Sequence, residues 1–591
     1  MRRIFILLKY FFYALLPVAA LAVFLAKAFF VEIYWGGLLN QTHLFFFWAV
    51  IKHDAAVLAA MLFLYFVSLH VISPFARVVF RLAEVGIFGL YGLDFAIIVT
   101  FATRITLEDI FKYALHTPDF ILSGFREVLS PAQTAGLLAG LALLGCALVV
   151  FVARPCLVGP NWRKASATLA AVFLIMYLIP RQETYAHAWI YQNVFEYNSG
   201  RGVDVDYSPA FRQELEQRAG EIDHEECRPN PDPGKQNIVV LVVESLSMYH
   251  SRFFSGLEDM MPGLDRIAAE NTAFVHFHAN GFTTESALTA MLLGIPAVPP
   301  VYVYSDNEGD FSFQGYFGAA DSLPRRLRQQ GYTTEFLTSG DLAFAEKARW
   351  LKSIGFDYLE GHDHPFYAGW PRHVFSSAPD AALYARALKR VFDIERPAPF
   401  FMMIETVSTH QPFIDPETKE RSEAKAFAYA DRELEKFYDA LKTRGFFDNG
   451  VLLITSDQHS MKPLTAAEVR RFGDHAYALI PLIVAGQNKK TEIVRQPFQQ
   501  VDIYASLINS VSGQRCVSAW RGDFLAVPRR PAECIFYVRG DDRDKISVFC
   551  GDRTGQVRLR GDRTGFLAPT FADQKKILDK INFERLRRAS D

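Results

Sequence analysis

The sequence predicts five N-terminal membrane-spanning helices followed by an extracytoplasmic α/β domain and a small C-terminal subdomain containing β-structure. Three observations point there. The apolar excess of this 591-residue chain, with its 52 Phe, sits mainly before about residue 182. From residue 236 to about 510, β-branched runs alternate with helical ones, as a doubly wound sheet requires. Two of those runs, Val239-Val240-Leu241-Val242-Val243-Glu244 and Leu452-Leu453-Ile454-Thr455-Ser456-Asp457, end abruptly in a carboxylate. Ligands of open α/β sheets bind beyond the carboxyl ends of the strands, so both acids are candidates for holding a metal or substrate.

The chain is too long for one core. We expect a membrane region at 1–181, a connector at 182–235, a catalytic-type domain at 236–510 and a subdomain at 511–591. A net charge of −2 gives no basic footprint for nucleic acid.

Five apolar spans, at roughly 10–30, 55–74, 82–101, 134–153 and 166–180, approach the length a bilayer needs. The second has an alternative start in Leu44-Phe45-Phe46-Phe47-Trp48. The first is taken as a helix rather than a cleaved signal peptide, because four more spans follow and no small-residue cleavage site stands out. Arg2, Arg3 and Lys9 precede the first span. Arg77 and Arg81 lie between the second and third, and Arg154, Arg163 and Lys164 between the fourth and fifth. The stretch 32–50 has no Lys or Arg. This asymmetry puts the N-terminus in the cytoplasm and everything after Arg181 outside a cell membrane. The outside loop 102–133, with Leu107, Ile110, Phe111, Ala114 and Leu115, suits a helix lying on the membrane face.

The connector reads as loop, then a helix over 210–221, then a Pro-rich stop at Pro229, Pro231 and Pro233. Strands are expected at 237–243, 332–338, 399–405, 450–455 and 479–485. Helices are expected at 260–270, 284–293, 320–330, 378–394 and 423–444. Residues 511–591 carry short β runs and an echo, Gly551-Asp552-Arg553-Thr554-Gly555 and Gly561-Asp562-Arg563-Thr564-Gly565, each read as a tight turn. Cys146 and Cys156 fall where thiols stay reduced. Cys227, Cys516, Cys534 and Cys550 fall outside, where disulfides persist, and Cys534 with Cys550 flanks a hairpin and is the favoured pair.

Asn280-Gly281-Phe282-Thr283-Thr284-Glu285-Ser286 turns into a helix. A hydroxyl at a helix start meets positive dipole and free N–H groups, which suits a nucleophile for phosphate, but Thr283-Thr284 also fits a plain N-cap. Asp457 is followed by Gln458 and His459. An amide oxygen is a competent ligand for a hard cation, so either Gln458 or His459 completes a site here. His410, in Ser408-Thr409-His410-Gln411-Pro412, follows a strand and suits proton transfer or a phosphate contact, or a structural turn. His276 and His278 alternate as sheet-face residues do.

With these motifs together, the chain resembles the lipoteichoic-acid-synthase and phosphoglycerol-transferase branch of the alkaline phosphatase/sulfatase superfamily. The resemblance covers nearly the whole length. It implies Glu244 and Asp457 as ligands of one divalent cation (Mg²⁺, Mn²⁺ or Ca²⁺). It also implies Thr284, at the family's spacing before Gly294-Ile295-Pro296, as nucleophile and further ligand, favoured over Thr283. His410 resembles the family's substrate-phosphate His, with His475 a weaker candidate. Asp341, in Ser339-Gly340-Asp341, matches a head-group contact whose companion Trp and Arg are not at matching positions. The family usually places His directly after the second acid, where this chain has Gln458. The sulfatase signature at the nucleophile is absent. The resemblance implies a transferase in a bacterial inner membrane, working on the surface of the lipid bilayer. It moves phosphoglycerol from phosphatidylglycerol, or phosphoethanolamine, through a phospho-threonine to an envelope glycan or glycolipid. The rival is a non-catalytic sulfatase-like lipid sensor of the envelope.

Overall fold

The computed structural model describes residues 21–33, 44–70, 73–101, 191–199, 207–222, 224–298, 316–393, 397–462, 464–486, 491–539, 545–568 and 573–589, with a few isolated positions between them. The chain divides into two compact units. One holds residues 1–116, 129–201 and 462–469, and the other holds 117–128, 202–461 and 470–591.

In the first unit two described helices are long and apolar enough to cross a bilayer, over Phe45–Ser68 and Phe75–Val99, and a shorter apolar helix covers Leu21–Val31. They match the second, third and part of the first expected spans. The span at 134–153 lies outside the described residues, and 166–180 is described only at isolated positions. Arg77 and Arg81 sit in the opening turns of the helix Pro74–Phe101 rather than in a loop, because Pro74 has the fixed φ that starts a helix. Two buried ion pairs lie inside this apolar unit. Lys27 Nζ meets Asp54 Oδ1 at 3.0 Å, and Arg104 grips Asp94 at 2.9 and 2.6 Å.

The second unit is built on a mixed sheet. Its strands, in chain order with those of the flanking ribbons, are β1 (Glu225–Pro229), β2 (Asn237–Val243), β3 (Thr272–His278), β4 (Thr333–Thr338), β5 (Tyr358–Glu360), β6 (Phe400–Glu405), β7 (Gly450–Ser456), β8 (Leu479–Gly486), β9 (Glu492–Val494), β10 (Phe498–Gln499), β11 (Gln514–Ser518), β12 (Ile535–Val538), β13 (Lys545–Cys550), β14 (Arg553–Arg558) and β15 (Gly565–Phe566). The main sheet runs β10-β3-β8-β7-β2-β6-β4-β5, with β9 also on β3. From β7 to β5 all pairs are parallel, whereas β8 is antiparallel to both neighbours. Both faces of the centre are covered. Ile238, Val240 and Val242 join one core, and Val239, Leu241 and Val243 the other. That explains why these strands read as unbroken apolar runs. Helices Pro262–Glu270, Thr284–Leu293, Leu323–Gln329, Asp380–Val391 and Glu423–Thr443 stand where the sequence placed them.

Three differences stand out. The connector contains a strand, β1, that pairs antiparallel with β11 and is tied to it by the disulfide Cys227–Cys516. The first echo forms a turn only at 551–552, and its Arg553-Thr554-Gly555 starts β14, because residues 545–550 supply an antiparallel partner. The stretch before the nucleophile candidates, not among the expected strands although His276 and His278 alternate as sheet-face residues do, is a full strand, β3. The expected pair Cys534–Cys550 is present and links β13 to the segment leading into β12.

Candidate active site

Four adjacent parallel strands, β4, β6, β2 and β7, deliver polar residues to one edge of the sheet. Asp341 follows β4, Glu405 ends β6, Glu244 follows β2 and Asp457 follows β7. Register fixes their height. Val242 pairs with Glu405 and Val243 with Ser456, so the acids after and at these ends lie side by side.

Glu244 and Asp457 are buried and meet through the residue between them. Ser245 donates its N–H to Asp457 Oδ1 at 2.8 Å and its hydroxyl to Glu244 Oε1 at 2.7 Å. Reaching both forces Ser245 to φ 57°, a left-handed conformation that a non-glycine residue holds at some cost. Burial lifts the Glu244 carboxyl to about 7. Burial, then repulsion from Glu244, pushes Asp457 well above the ordinary carboxylate range. Two facing buried acids need a counter-charge, either a shared proton or a cation.

The two threonines divide their roles. Thr283 is the N-cap of the helix Thr284–Leu293: its side chain accepts from the Ser286 N–H at 3.3 Å. Thr284 is free of that duty, half-buried, and donates its hydroxyl to Asp457 Oδ2 at 2.8 Å. The turn before them needs Gly281, since a Cβ there would come within 2.2 Å of Ser286 Cβ. Gly294 closes the helix at φ 67°, against the Tyr504 ring.

At the Asp457-Gln458-His459 turn the two alternatives separate. Gln458 is buried, and among the described residues neither side-chain amide atom has a hydrogen-bond partner. A buried orphan amide beside two acids and a hydroxyl fits a hard-cation ligand set. The His459 ring is turned to the Ser460 carbonyl through Nδ1 and packs near Tyr249 and Tyr477. Glu244, Thr284 and Asp457, with Gln458 or His459, are the candidates to hold a divalent ion, and the unpartnered amide favours Gln458.

His410 is half-buried, with Nδ1 on the Gln411 carbonyl at 2.6 Å and its ring edge-on to Phe375. Burial lowers its pKa, partly opposed by that carbonyl and by Asp457. Asp341 accepts the Ala343 N–H, and its own N–H donates to the Phe375 carbonyl, which ties the loops of Asp341 and His410 together through Phe375. His475 stands apart. It is bonded to His278 at 3.0 Å and stacked on Phe549, with no described contact to Thr284 or Asp457.

Three contributors escaped the sequence. Glu405 shows the signal, an apolar run ending in an acid, but in sequence reads only as the end of the strand expected at 399–405. Buried Lys347 donates to it at 2.6 Å. Burial lowers the ammonium, but the Glu405 carboxylate outweighs this and the net shift is up. Gln500 holds the metal-candidate turn from behind. Its amide donates to the carbonyls of Ser456 and Asp457 at 3.0 and 2.7 Å and accepts the Asn280 N–H at 2.9 Å. Nothing local marks Lys347 or Gln500.

Residues 236–512 match the family described as Sulfatase. The chain is similar to phosphoglycerol transferase I of Escherichia coli O81 (strain ED1a), with 28% identity over 291 residues that cover 44% of this chain and 36% of the relative. The same figures hold for the phosphoglycerol transferase I of Escherichia fergusonii. The chain therefore spans little more than a third of the length of these relatives. Among solved structures, it is similar to an alkaline phosphatase superfamily protein from Vibrio parahaemolyticus (TM-score 0.49, 18% identity, 66% of this chain and 93% of that one). It is also similar to the lipoteichoic acid synthase LtaP from Listeria monocytogenes (TM-score 0.48, 17% identity, 63% and 97%).

Proposed function

We propose that this sulfatase-like chain is a phosphoglycerol transferase of a bacterial inner membrane, taking the head group of phosphatidylglycerol and passing it to a hydroxyl of an envelope glycan or glycolipid. Phosphoethanolamine is the second choice of head group. The observation that carries the proposal is the hydrogen bond from Thr284 to Asp457, beside Glu244, at the carboxyl edge of the sheet. It joins a helix-start hydroxyl to an acid pair, the arrangement suited to an activated oxygen nucleophile.

A divalent cation held by Glu244, Thr284, Asp457 and Gln458 would acidify the Thr284 hydroxyl and offset charge on the phosphoryl oxygens. The Thr284 hydroxyl passes its proton to Asp457 Oδ2, its hydrogen-bond acceptor, as Oγ1 attacks phosphorus; the bond to diacylglycerol oxygen breaks, phosphoglycerol remains on Thr284, and Thr284 takes the proton back when the acceptor later displaces it. Because His410 Nδ1 donates to a carbonyl, Nε2 is the exchanging position. Protonated, it gives its proton to the diacylglycerol alkoxide. Neutral, it takes one from the acceptor hydroxyl, which then displaces Thr284. Asp341, tied through Phe375 to the His410 loop, is assigned to the head group. His475 is retained only as a more distant substrate contact. Five spans would anchor the domain on the outer face, where donor and acceptor meet.

The test incubates purified full-length chain with labelled phosphatidylglycerol and, separately, phosphatidylethanolamine. Diacylglycerol release together with a phosphorylated Thr284 peptide supports the proposal. Absence of both, with either lipid and with Mg²⁺ or Mn²⁺ supplied, would favour the non-catalytic sensor.

A further inference from the structure

A second feature of the domain shares no residue with the candidate active site. β3 is continuous in sequence but not in pairing. Its ladder with β8 slips between Phe274 and Phe277, so Val275 and His276 form a bulge. On its other side β9 pairs with Thr272–Phe274 and β10 with Phe277–His278, leaving the same two residues uncovered. The sheet edge is therefore interrupted at one place from both sides. Bulges of this kind re-aim side chains.

The interruption opens a groove of about 290 Å³. Its floor is apolar, with Phe253, Phe472 and Ile493 among the lining residues, and Ile493 is 48% exposed. Its rim is cationic. Arg471 and Arg495 both line it and both are exposed. Among the described residues neither guanidinium has a carboxylate within ion-pair distance, although neighbouring arginines do: Arg529 is paired with Glu492 and Arg530 with Glu226. The exposed His276 also lines the groove, its ring bonded to the Arg495 backbone.

We propose that this groove is a binding site for an anionic phospholipid, with the lipid phosphate between Arg471 and Arg495 and its glycerol-acyl portion on Phe253, Phe472 and Ile493. Two forks of planar donors with no internal acid suit a phosphate. A floor of half-buried aromatic rings and an exposed Ile493 suits a molecule that also has an apolar part, which a free phosphate lacks. A chain carrying helices able to cross a bilayer has such lipids at hand. The site would hold the outer domain at the lipid surface while Thr284 works elsewhere. It does not require the proposed transfer reaction.

Full-length protein in nanodiscs carrying a trace of photoactivatable phosphatidylglycerol, followed by peptide mapping, tests this. We expect labelling of the peptides containing Arg471–Phe472 and Ile493–Arg495. Unlabelled phosphatidylglycerol should compete, whereas phosphatidylcholine and millimolar inorganic phosphate should not. Arg471→Ala with Arg495→Ala should cut that labelling about tenfold or more, with the melting temperature unchanged because both side chains are exposed and, among the described residues, neither has a carboxylate partner. Ile493→Ser should weaken it while keeping the charge. Equal labelling by photoactivatable phosphatidylcholine, competition by inorganic phosphate, or labelling untouched by the double substitution would each overturn the proposal. Groove labelling in a protein that releases no diacylglycerol would keep this site and reject the transferase.

Discussion

At the scale of single residues, two ambiguities of the sequence become two experiments. Thr283 caps a helix and Thr284 reaches Asp457. Thr284→Ala should abolish diacylglycerol release with little change in melting temperature. Thr283→Ala should keep transfer and lose about 1 kcal/mol of stability, as a lost N-cap does. Labelled-lipid turnover and thermal melts on the same preparations decide, and normal turnover by the Thr284 variant would sink the nucleophile assignment. Gln458, with both amide atoms unpartnered, should matter more to the cation than His459, which is engaged with Ser460. Gln458→Ala should weaken divalent-ion affinity by at least about tenfold, the lower end of what losing even a supporting partner costs. His459→Ala should leave affinity nearly unchanged. Gln458→His should move preference toward Mn²⁺ or Zn²⁺. Calorimetric titration with each ion reads all three, and swapped alanine effects would make His459 the ligand.

At the scale of elements, the site depends on strands meeting in register with matched ends. The Lys347–Glu405 pair joins the helix Lys347–Ser353 to the end of β6, and both side chains are buried. Removing one partner of a buried pair strands the other charge at a cost of about 3–5 kcal/mol. Glu405→Leu should therefore lower stability by that order in chemical denaturation. Adding Lys347→Met should recover much of it, because the stranded ammonium is gone. Additive losses in the double variant would mean the two residues act independently. The same scale explains where sequence patterning stopped. A parallel strand buried on both faces is legible as an apolar run, and the helices between such strands are legible by their period. Antiparallel β8 looks the same in sequence as its parallel neighbours, because burial, not direction, sets composition. β1 could not be foreseen either. Its residues are all exposed, and its partner β11 lies nearly 300 residues away.

At the scale of the whole molecule, the proposed chemistry needs the domain to face the compartment where phospholipid and glycan acceptor meet. The basic-residue asymmetry around the apolar spans expects this, and the two disulfides of the second unit suit an oxidising compartment. A reporter active only outside the cytoplasm should be active when fused after Arg181 and silent when fused near Arg163. The opposite pattern would place the site on the wrong side of the membrane and withdraw the transferase proposal.

The sequence by itself determined the parts that local composition encodes. These are the apolar spans, the run of buried strands and amphipathic helices, and the acids Glu244 and Asp457 at strand ends. A strand end is a local event, and a polar residue there is visible without knowing its neighbours. Only the tertiary structure decided which hydroxyl of Thr283-Thr284 turns to Asp457, that Gln458 is left without a partner, and that Lys347, Glu405 and Gln500 support the same edge. Such relations arise between segments tens to hundreds of residues apart. They depend on strand order and register, which composition does not carry: any order of similar apolar strands buries the same side chains, but only one brings these acids together.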